Sequence, residues 1–120
     1  MKTLLIVDDQ ELYLQSLKMA LQSRYDVRTA LDYETALQAL KQPVDIALLD
    51  IRLDEDDESN ADGLKLLEWI REHQPDTAAF VMSAYQEFHY AENALNLGAL
   101  HFFRKPIDVT NLINILHEKA

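Results

Sequence analysis

The 120-residue sequence predicts an α/β fold in which helices cover both faces of a parallel sheet. Short apolar runs alternate along the chain with segments of helical periodicity, as in repeated βαβ units. Two of the runs, residues 4–7 and 46–49, are unbroken. Unbroken runs are typical of central strands that are buried on both faces.

Five apolar runs are candidate strands, at residues 4–7, 25–29, 46–49, 79–82 and 100–103. The run at 25–29 alternates apolar and polar residues, so we expect it at an edge of the sheet. Each run is followed by a segment of helical periodicity, and four of these segments carry a clear apolar stripe. The stripes are Leu14, Leu17 and Leu21; Ala36, Leu37 and Leu40; Leu64, Leu67 and Ile70; and Leu112, Ile115 and Leu116.

The fourth helix is predicted over residues 87–97 and is the weakest of the five. Asn93 and Asn96 interrupt its apolar face, which includes Phe88 and Ala94, and Gly98 is expected to end the helix in a left-handed conformation. Five βα pairs in this length resemble a flavodoxin-like (βα)5 doubly wound parallel sheet with strand order 2-1-3-4-5. We therefore expect a single domain over residues 1–120.

Composition and charge exclude several classes of protein. The formal net charge is −10, whereas binding to a nucleic acid backbone relies on a cationic patch, so no direct nucleic acid contact is expected. The chain has no cysteine and therefore no disulfide framework. It shows neither a membrane-spanning apolar stretch nor a signal peptide, so a cytoplasmic protein without membrane contact is expected.

Polar residues directly follow four of the predicted strands. Asp8 and Asp9 follow the first, Asp50 the third, Ser83 the fourth and Lys105 the fifth. The carboxyl ends of parallel strands meet at one edge of a sheet, which is where α/β sheets bind ligands. Three carboxylates in one place repel each other unless a cation lies among them, and hard oxygen ligands suit Mg²⁺. The pattern indicates phosphoryl chemistry on a carboxylate.

Each of these residues also has an ordinary structural interpretation. Asp8 or Asp9 could cap the following helix, Asp50 could end a strand, and Ser83 could serve as a turn hydroxyl. Lys105-Pro106 could simply end a strand and begin a helix. The functional interpretation therefore depends on their joint spacing.

The chain resembles the receiver domain of two-component response regulators over essentially its whole length. The spacing of Ser83, Phe102 and Lys105 is the one that this family uses. The matching motifs are Val7-Asp8-Asp9, Asp50, Asp62-Gly63, Ser83-Ala84, Gly98-Ala99, Phe102 and Lys105-Pro106.

The resemblance implies a Mg²⁺-dependent phosphorylation. Asp50 would accept a phosphoryl group from a sensor histidine kinase or a phosphotransfer protein. Asp8, Asp9, Asp50 and the backbone carbonyl of Arg52 would hold the metal, and Lys105 would supply a second cation. The domain would catalyse only its own phosphorylation and dephosphorylation.

The resemblance also implies a conformational switch. Ser83 would bind the phosphoryl group and Phe102 would swing inward with it, which changes the face made by the fourth helix, fifth strand and fifth helix. That face would control an output domain or a downstream protein, and a homodimer is possible. The chain would either act alone or be excised from a longer regulator.

The sequence departs from the family in the loop between Asp50 and Gly63, which is about five residues longer than usual. Its acidic residues 54–58 are either a solvated loop or a segment that attracts cations or selects the partner. Two other functions are alternatives to this one. One is a degenerate receiver that only docks, and the other is a haloacid dehalogenase-like phosphatase, which would need a second aspartate where Arg52 stands.

Overall fold

The computed structural model describes residues 1–84 and 90–120. They form a five-stranded parallel sheet of order β2-β1-β3-β4-β5, which confirms the predicted doubly wound fold. The strands are β1 (Thr3–Val7), β2 (Asp26–Ala30), β3 (Ile46–Asp50), β4 (Ala78–Ser83) and β5 (Phe102–Arg104). The helices are α1 (Glu11–Leu21), α2 (Tyr33–Ala39), α3 (Asp62–His73), α4 (Ala91–Asn96) and α5 (Val109–Lys119).

The two unbroken apolar runs are central strands, as predicted. All five residues of β3 are buried, and β1 is buried from its second residue onward. β2 lies at the edge and is mostly half-exposed, which also confirms its prediction. Strands buried on both faces hold their ends in fixed positions, so the residues that follow β1 and β3 are well placed to form a site.

The side chains of alternate strand residues point to opposite faces of the sheet and pack into two separate hydrophobic layers. One face of the sheet packs against α1 and α5, and the other packs against α2, α3 and α4. The first layer includes Leu4, Ile6, Leu14, Leu17, Leu48, Phe80, Phe103 and Leu112. The second includes Leu5, Val7, Ala36, Leu49, Leu66, Leu67, Val81 and Ala94.

Local signals fix several of the helix ends. Asp32 caps α2 by accepting a hydrogen bond of 2.8 Å from the amide of Thr35, and Asp108 caps α5 through the amide of Thr110 at 3.0 Å. Gly98 has φ of +99°, and the amide of Ala99 donates to the carbonyl of Ala94. The predicted left-handed end of the fourth helix is confirmed.

Two boundaries differ from the sequence prediction. Regular pairing of β5 begins at Phe102 opposite Val81, two residues later than predicted, although the amide of Leu100 already donates a 2.8 Å hydrogen bond to the carbonyl of Ala79 in β4. The described part of the fourth helix is Ala91–Asn96, and the predicted residues 87–89, with Phe88, lie outside the described residues. Within residues 1–84 and 90–120, no helix is long and apolar enough to cross a membrane.

Candidate functional site

The predicted polar residues converge at the carboxyl edge of the sheet. Asp50 is the last residue of β3, Ser83 is the last residue of β4, and Asp8 and Lys105 directly follow β1 and β5. All five strands run in the same direction, so their carboxyl ends share one edge. The edge therefore collects acidic, hydroxyl and ammonium groups from four strands.

Three carboxylates form the centre of this site. Asp8, Asp9 and Asp50 each offer an oxygen, and these oxygens lie within 4.8 Å of one another. Asp8 and Asp50 are buried, whereas Asp9 is half-buried. Burial of like charges at this separation is costly unless the charges are compensated. The site therefore requires cations.

Lys105 supplies one compensating cation. Its Nζ lies 2.6 Å from Oδ2 of Asp8 and 3.1 Å from Oδ2 of Asp50. Burial lowers the pKa of the Lys105 ammonium, but the adjacent charges of Asp50 and Asp8 outweigh that effect and raise the pKa above its ordinary value. Lys105 thus stays protonated and bridges the two buried carboxylates.

One ammonium does not neutralise three acids, and the pKa values of Asp50 and Asp9 are raised. Burial raises the pKa of Asp50 to about 8; Lys105 opposes the rise and the charge of Asp8 adds to it. Burial, followed by the charges of Glu55 and Asp8, raises the pKa of Asp9 to about 6. In the absence of a further cation, Asp50 is mostly protonated at neutral pH.

The long loop after β3 is attached to the site at Asp9. The amide of Glu55 donates a 3.1 Å hydrogen bond to Oδ2 of Asp9. The guanidinium of Arg52 donates to the carbonyls of Asp54, at 3.2 Å, and Glu55, at 2.5 Å. The side chains of residues 54–59 are nevertheless exposed. The backbone of this acidic loop is therefore held next to the carboxylates while its side chains face solvent.

The donor set fits a divalent cation. Oδ1 of Asp9 is buried and accepts no hydrogen bond from any described residue, and in a native protein such an atom calls for an explanation. Oδ2 of Asp8 and Oδ2 of Asp50 contact the Lys105 ammonium and accept no other hydrogen bond from a described residue. Carboxylate oxygens of this kind are ligands for Mg²⁺. The role of the Arg52 backbone carbonyl as a metal ligand stays a prediction.

Ser83 lies at the same edge of the sheet as this cluster, and Phe102 begins β5, the strand that leads to Lys105. Met82 is opposite Asp50 in the β3–β4 register, so Ser83 lies one residue further toward the carboxyl edge. Ser83 is fully buried, and its carbonyl accepts a 2.8 Å hydrogen bond from the amide of Lys105. Phe102 is half-buried against the core layer of α2, α3 and α4. Their switching roles stay predictions.

Gly63 explains the Asp62-Gly63 motif. A Cβ on this residue would lie 2.0 Å from the carbonyl oxygen of Asp50 and 2.6 Å from Cα of Ile51. The Gly63 amide also donates a 2.9 Å hydrogen bond to the Ile51 carbonyl. Only glycine allows α3 to approach the end of β3 this closely. Gly63 thus helps to fix the backbone that carries Asp50.

Sequence reasoning missed Tyr13 as a site residue. The ring centroid of Tyr13 lies 5.0 Å from Nζ of Lys105, and its hydroxyl accepts a 3.0 Å hydrogen bond from the amide of Ile107. The available signal was its position in the first turn of α1, four residues after Asp9. Such a residue can face the carboxyl edge. The Lys105–Pro106 peptide bond next to it is cis.

Comparisons with known proteins agree with this geometry. The family model for the response regulator receiver domain matches residues 4–117. The acid tolerance regulatory protein ActR of Rhizobium meliloti is 34% identical over 98% of this chain and 59% of its own length. The regulatory protein AtoC of Escherichia coli is 33% identical over 98% of this chain and 24% of its own length. The chain thus spans little more than half the length of ActR.

Solved structures give the same result. The receiver domain of NtrX from Brucella abortus superposes with a TM-score of 0.84 at 27% identity, covering 97% of this chain and 96% of that one. A CheY-like response regulator receiver domain protein from Methanospirillum hungatei superposes with a TM-score of 0.88 at 28% identity, covering 99% and 93%.

The sheet order and the acidic edge define a CheY-like domain, which is a signalling module and not a classical enzyme. More specifically, the chain belongs to the response regulator receiver domain family.

Proposed function

We propose that residues 1–120 form a phosphorylation-dependent switch of a two-component system in the cytoplasm. Asp50 accepts a phosphoryl group from a phosphohistidine of a sensor histidine kinase or a phosphotransfer protein. The observation that carries this proposal is the cluster of Asp8, Asp9 and Asp50 with Lys105 bridging two of them at 2.6 and 3.1 Å. Membership of the receiver family supports it.

The reaction is a phosphoryl transfer between two nucleophiles. A carboxylate oxygen of Asp50 attacks phosphorus, the bond from phosphorus to the donor imidazole nitrogen breaks, and the histidine leaves with the bonding electron pair and takes up a proton. Asp50 must be ionised to attack, although its pKa is about 8 without metal. A Mg²⁺ held by Asp8, Asp9, Asp50 and the Arg52 carbonyl would favour the ionised form and offset transition-state charge.

The residues around Asp50 are placed to respond to the new group. Lys105 contacts Asp50 directly and would follow the phosphoryl oxygens, which carry roughly −1.5 to −2 charge. Ser83, buried at the end of the adjacent strand, would donate a hydrogen bond from its hydroxyl group to the same oxygens. These two movements would couple the modification to β4 and β5.

The signal that the domain passes on would be a change in its surface at β5 and the helices on either side of it. Movement of Ser83 would allow Phe102 to turn inward and would shift the face formed by α4, β5 and α5. A hydrogen bond to a charged acceptor contributes only about 1.5–3 kcal/mol, so the two conformations must already be close in energy. This face would control an output domain or downstream protein, or form a homodimer. With a net charge of −10, the domain itself would not contact nucleic acid.

Intact mass spectrometry after incubation with acetyl phosphate tests the proposal. We expect a phosphoryl adduct on the wild type in Mg²⁺ that is absent in EDTA and in Asp50→Asn. Asp76→Asn is the matched control, because Asp76 is an exposed acid in the turn before β4, at the other edge of the sheet. If wild type and Asp50→Asn gave the same adduct, or if no adduct formed with acetyl phosphate or with a histidine kinase, the proposal would be wrong.

A further inference from the structure

Tyr13 connects α1 to the segment that carries Lys105. Its side chain contacts this segment at two places, the ammonium of Lys105 and the amide of Ile107. We propose that Tyr13 is a positioning residue that holds Lys105 for phosphoryl transfer to Asp50. This inference rests on the function proposed above and assigns a role within the same site.

The first contact concerns the ammonium group itself. Nζ of Lys105 lies 2.6 Å from Oδ2 of Asp8, 3.1 Å from Oδ2 of Asp50 and 5.0 Å from the centroid of the Tyr13 ring. A cation over an aromatic face is attracted by the ring quadrupole, and more strongly where water is excluded. The Lys105 side chain is only 15% exposed. The ring therefore provides an apolar, electron-rich wall that keeps the ammonium near the carboxylates.

The second contact concerns the backbone. The Tyr13 hydroxyl accepts a 3.0 Å hydrogen bond from the amide of Ile107, two residues after Lys105. The helix behind Tyr13 is anchored because its next residue, Leu14, and then Leu17 are buried in the core layer of α1 and α5. Tyr13 thus ties the turn after β5 to a fixed helix. Tyr13 therefore contacts both the tip of the lysine side chain and the backbone two residues beyond Lys105.

This restraint matters for the transfer step. Lysine has a long side chain with many rotamers, and ordering it costs conformational entropy. Upon transfer the ammonium must exchange the Asp50 carboxylate for the oxygens of the new phosphoryl group. A side chain already held at the site makes that exchange without being ordered again, which is a gain from preorganisation. Loss of the ring should therefore lower the maximal transfer rate more than it weakens donor binding.

Two substitutions separate the contacts. Tyr13→Phe removes the hydroxyl and keeps the ring, and Tyr13→Leu removes both. The measurement is the initial rate of phosphorylation against acetyl phosphate concentration in saturating Mg²⁺. We expect Tyr13→Leu to lower the maximal rate by about 2- to 30-fold, the range that a cation–π contact supports, with little change in the half-saturating concentration. Tyr13→Phe should retain most of the rate.

A double-mutant cycle shows whether Tyr13 acts through Lys105. In a Lys105→Ala background, Tyr13→Leu should have no further effect on the rate. Tyr25→Leu is the control, because Tyr25 packs against the same core layer at the opposite edge of the sheet, and its rate should equal the wild type's. The proposal would be overturned if Tyr13→Leu left the rate unchanged, or if it lowered the rate equally in the wild-type and Lys105→Ala backgrounds. It would also be overturned if Tyr25→Leu lowered the rate as much as Tyr13→Leu does.

Urea unfolding tests the contact independently of phosphorylation. The four proteins compared are the wild type, Tyr13→Leu, Lys105→Ala and the double variant. We expect the midpoint shift caused by Tyr13→Leu to be smaller when Lys105 is already alanine. If the midpoints couple in this way but the wild type takes up no phosphoryl group, the function proposed for the site fails and the positioning role falls with it. If the wild type is phosphorylated and the midpoint shifts are purely additive, only the role of Tyr13 is wrong.

Discussion

Replacement of Asp50 by asparagine is expected to stabilise the metal-free protein at neutral pH, even though it replaces a carboxyl group that contacts the Lys105 ammonium. The cause is the burial of an acid close to Asp8 and Asp9, which raises the pKa of Asp50 to about 8 from an ordinary value of 3.8. Between these values the folded protein holds a proton that the unfolded chain has released. The folded state therefore loses stability as pH rises from about 4 to about 8.

The size of this effect follows from the interval between the two pKa values. Each pH unit above 3.8 costs the folded state about 1.4 kcal/mol, so at pH 7 the loss is on the order of 4 kcal/mol. Asparagine has no proton to lose and can still accept a hydrogen bond from the Lys105 ammonium. Asp50→Asn should therefore unfold at a similar urea concentration to the wild type near pH 4, and at a clearly higher one near pH 7.

The assay is urea unfolding in EDTA at several pH values between 4 and 8, followed by far-ultraviolet circular dichroism. The free energies of unfolding of wild type and Asp50→Asn should diverge steadily with pH, and Asp76→Asn should remain within about 0.5 kcal/mol of the wild type. A constant difference between wild type and Asp50→Asn across this range would refute the reasoning. So would a less stable Asp50→Asn at pH 7.

Three further predictions concern the surroundings of this acid. Mg²⁺ should raise the melting temperature of the wild type and of Asp76→Asn but not of Asp9→Asn, as measured by differential scanning calorimetry; an equal rise in Asp9→Asn would remove that residue from the metal site. Gly63→Ala should lower the free energy of unfolding by about 3 kcal/mol or more in urea, because the new methyl group would lie 2.0 Å from a backbone oxygen; a loss below about 1 kcal/mol would contradict the tight approach of α3. Glu55→Gln should weaken Mg²⁺ binding by about 2- to 5-fold in calorimetric titration at low salt, since the Glu55 charge acts on Asp9, whereas Asp57→Asn should not; equal effects would make the loop a diffuse acidic surface.

The convergence of Asp8, Asp50 and Lys105 could be predicted from the sequence because it depends only on strand direction. A polar residue directly after an apolar run must lie at the carboxyl edge of a parallel sheet, whatever the details of packing. The left-handed end of the fourth helix at Gly98 was predictable for a similar reason, since glycine adopts positive φ without steric cost.

Other features depend on how separate segments approach each other, and no local pattern records that. The hydrogen bond from Glu55 to Asp9 joins residues 46 positions apart, and that from Ile107 to Tyr13 joins residues 94 apart. Tyr13 has the same local sequence signal as any aromatic residue in a first helical turn. The start of β5 was predicted two residues early because the apolar run begins at Leu100, whereas regular pairing with β4 begins at Phe102.

The contrast in burial between the site and its loop has a consequence for ionic strength. Asp8 and Asp50 are buried and the Lys105 side chain is only 15% exposed, while residues 54–58 face water. At physiological salt, exposed charges are screened over about 8 Å, whereas buried pairs are screened much less. Changes in salt should therefore alter what the acidic loop attracts and leave the contacts of Lys105 largely intact. Binding of cations or a partner to the loop would then depend on salt, whereas the arrangement of Asp8, Asp50 and Lys105 would not.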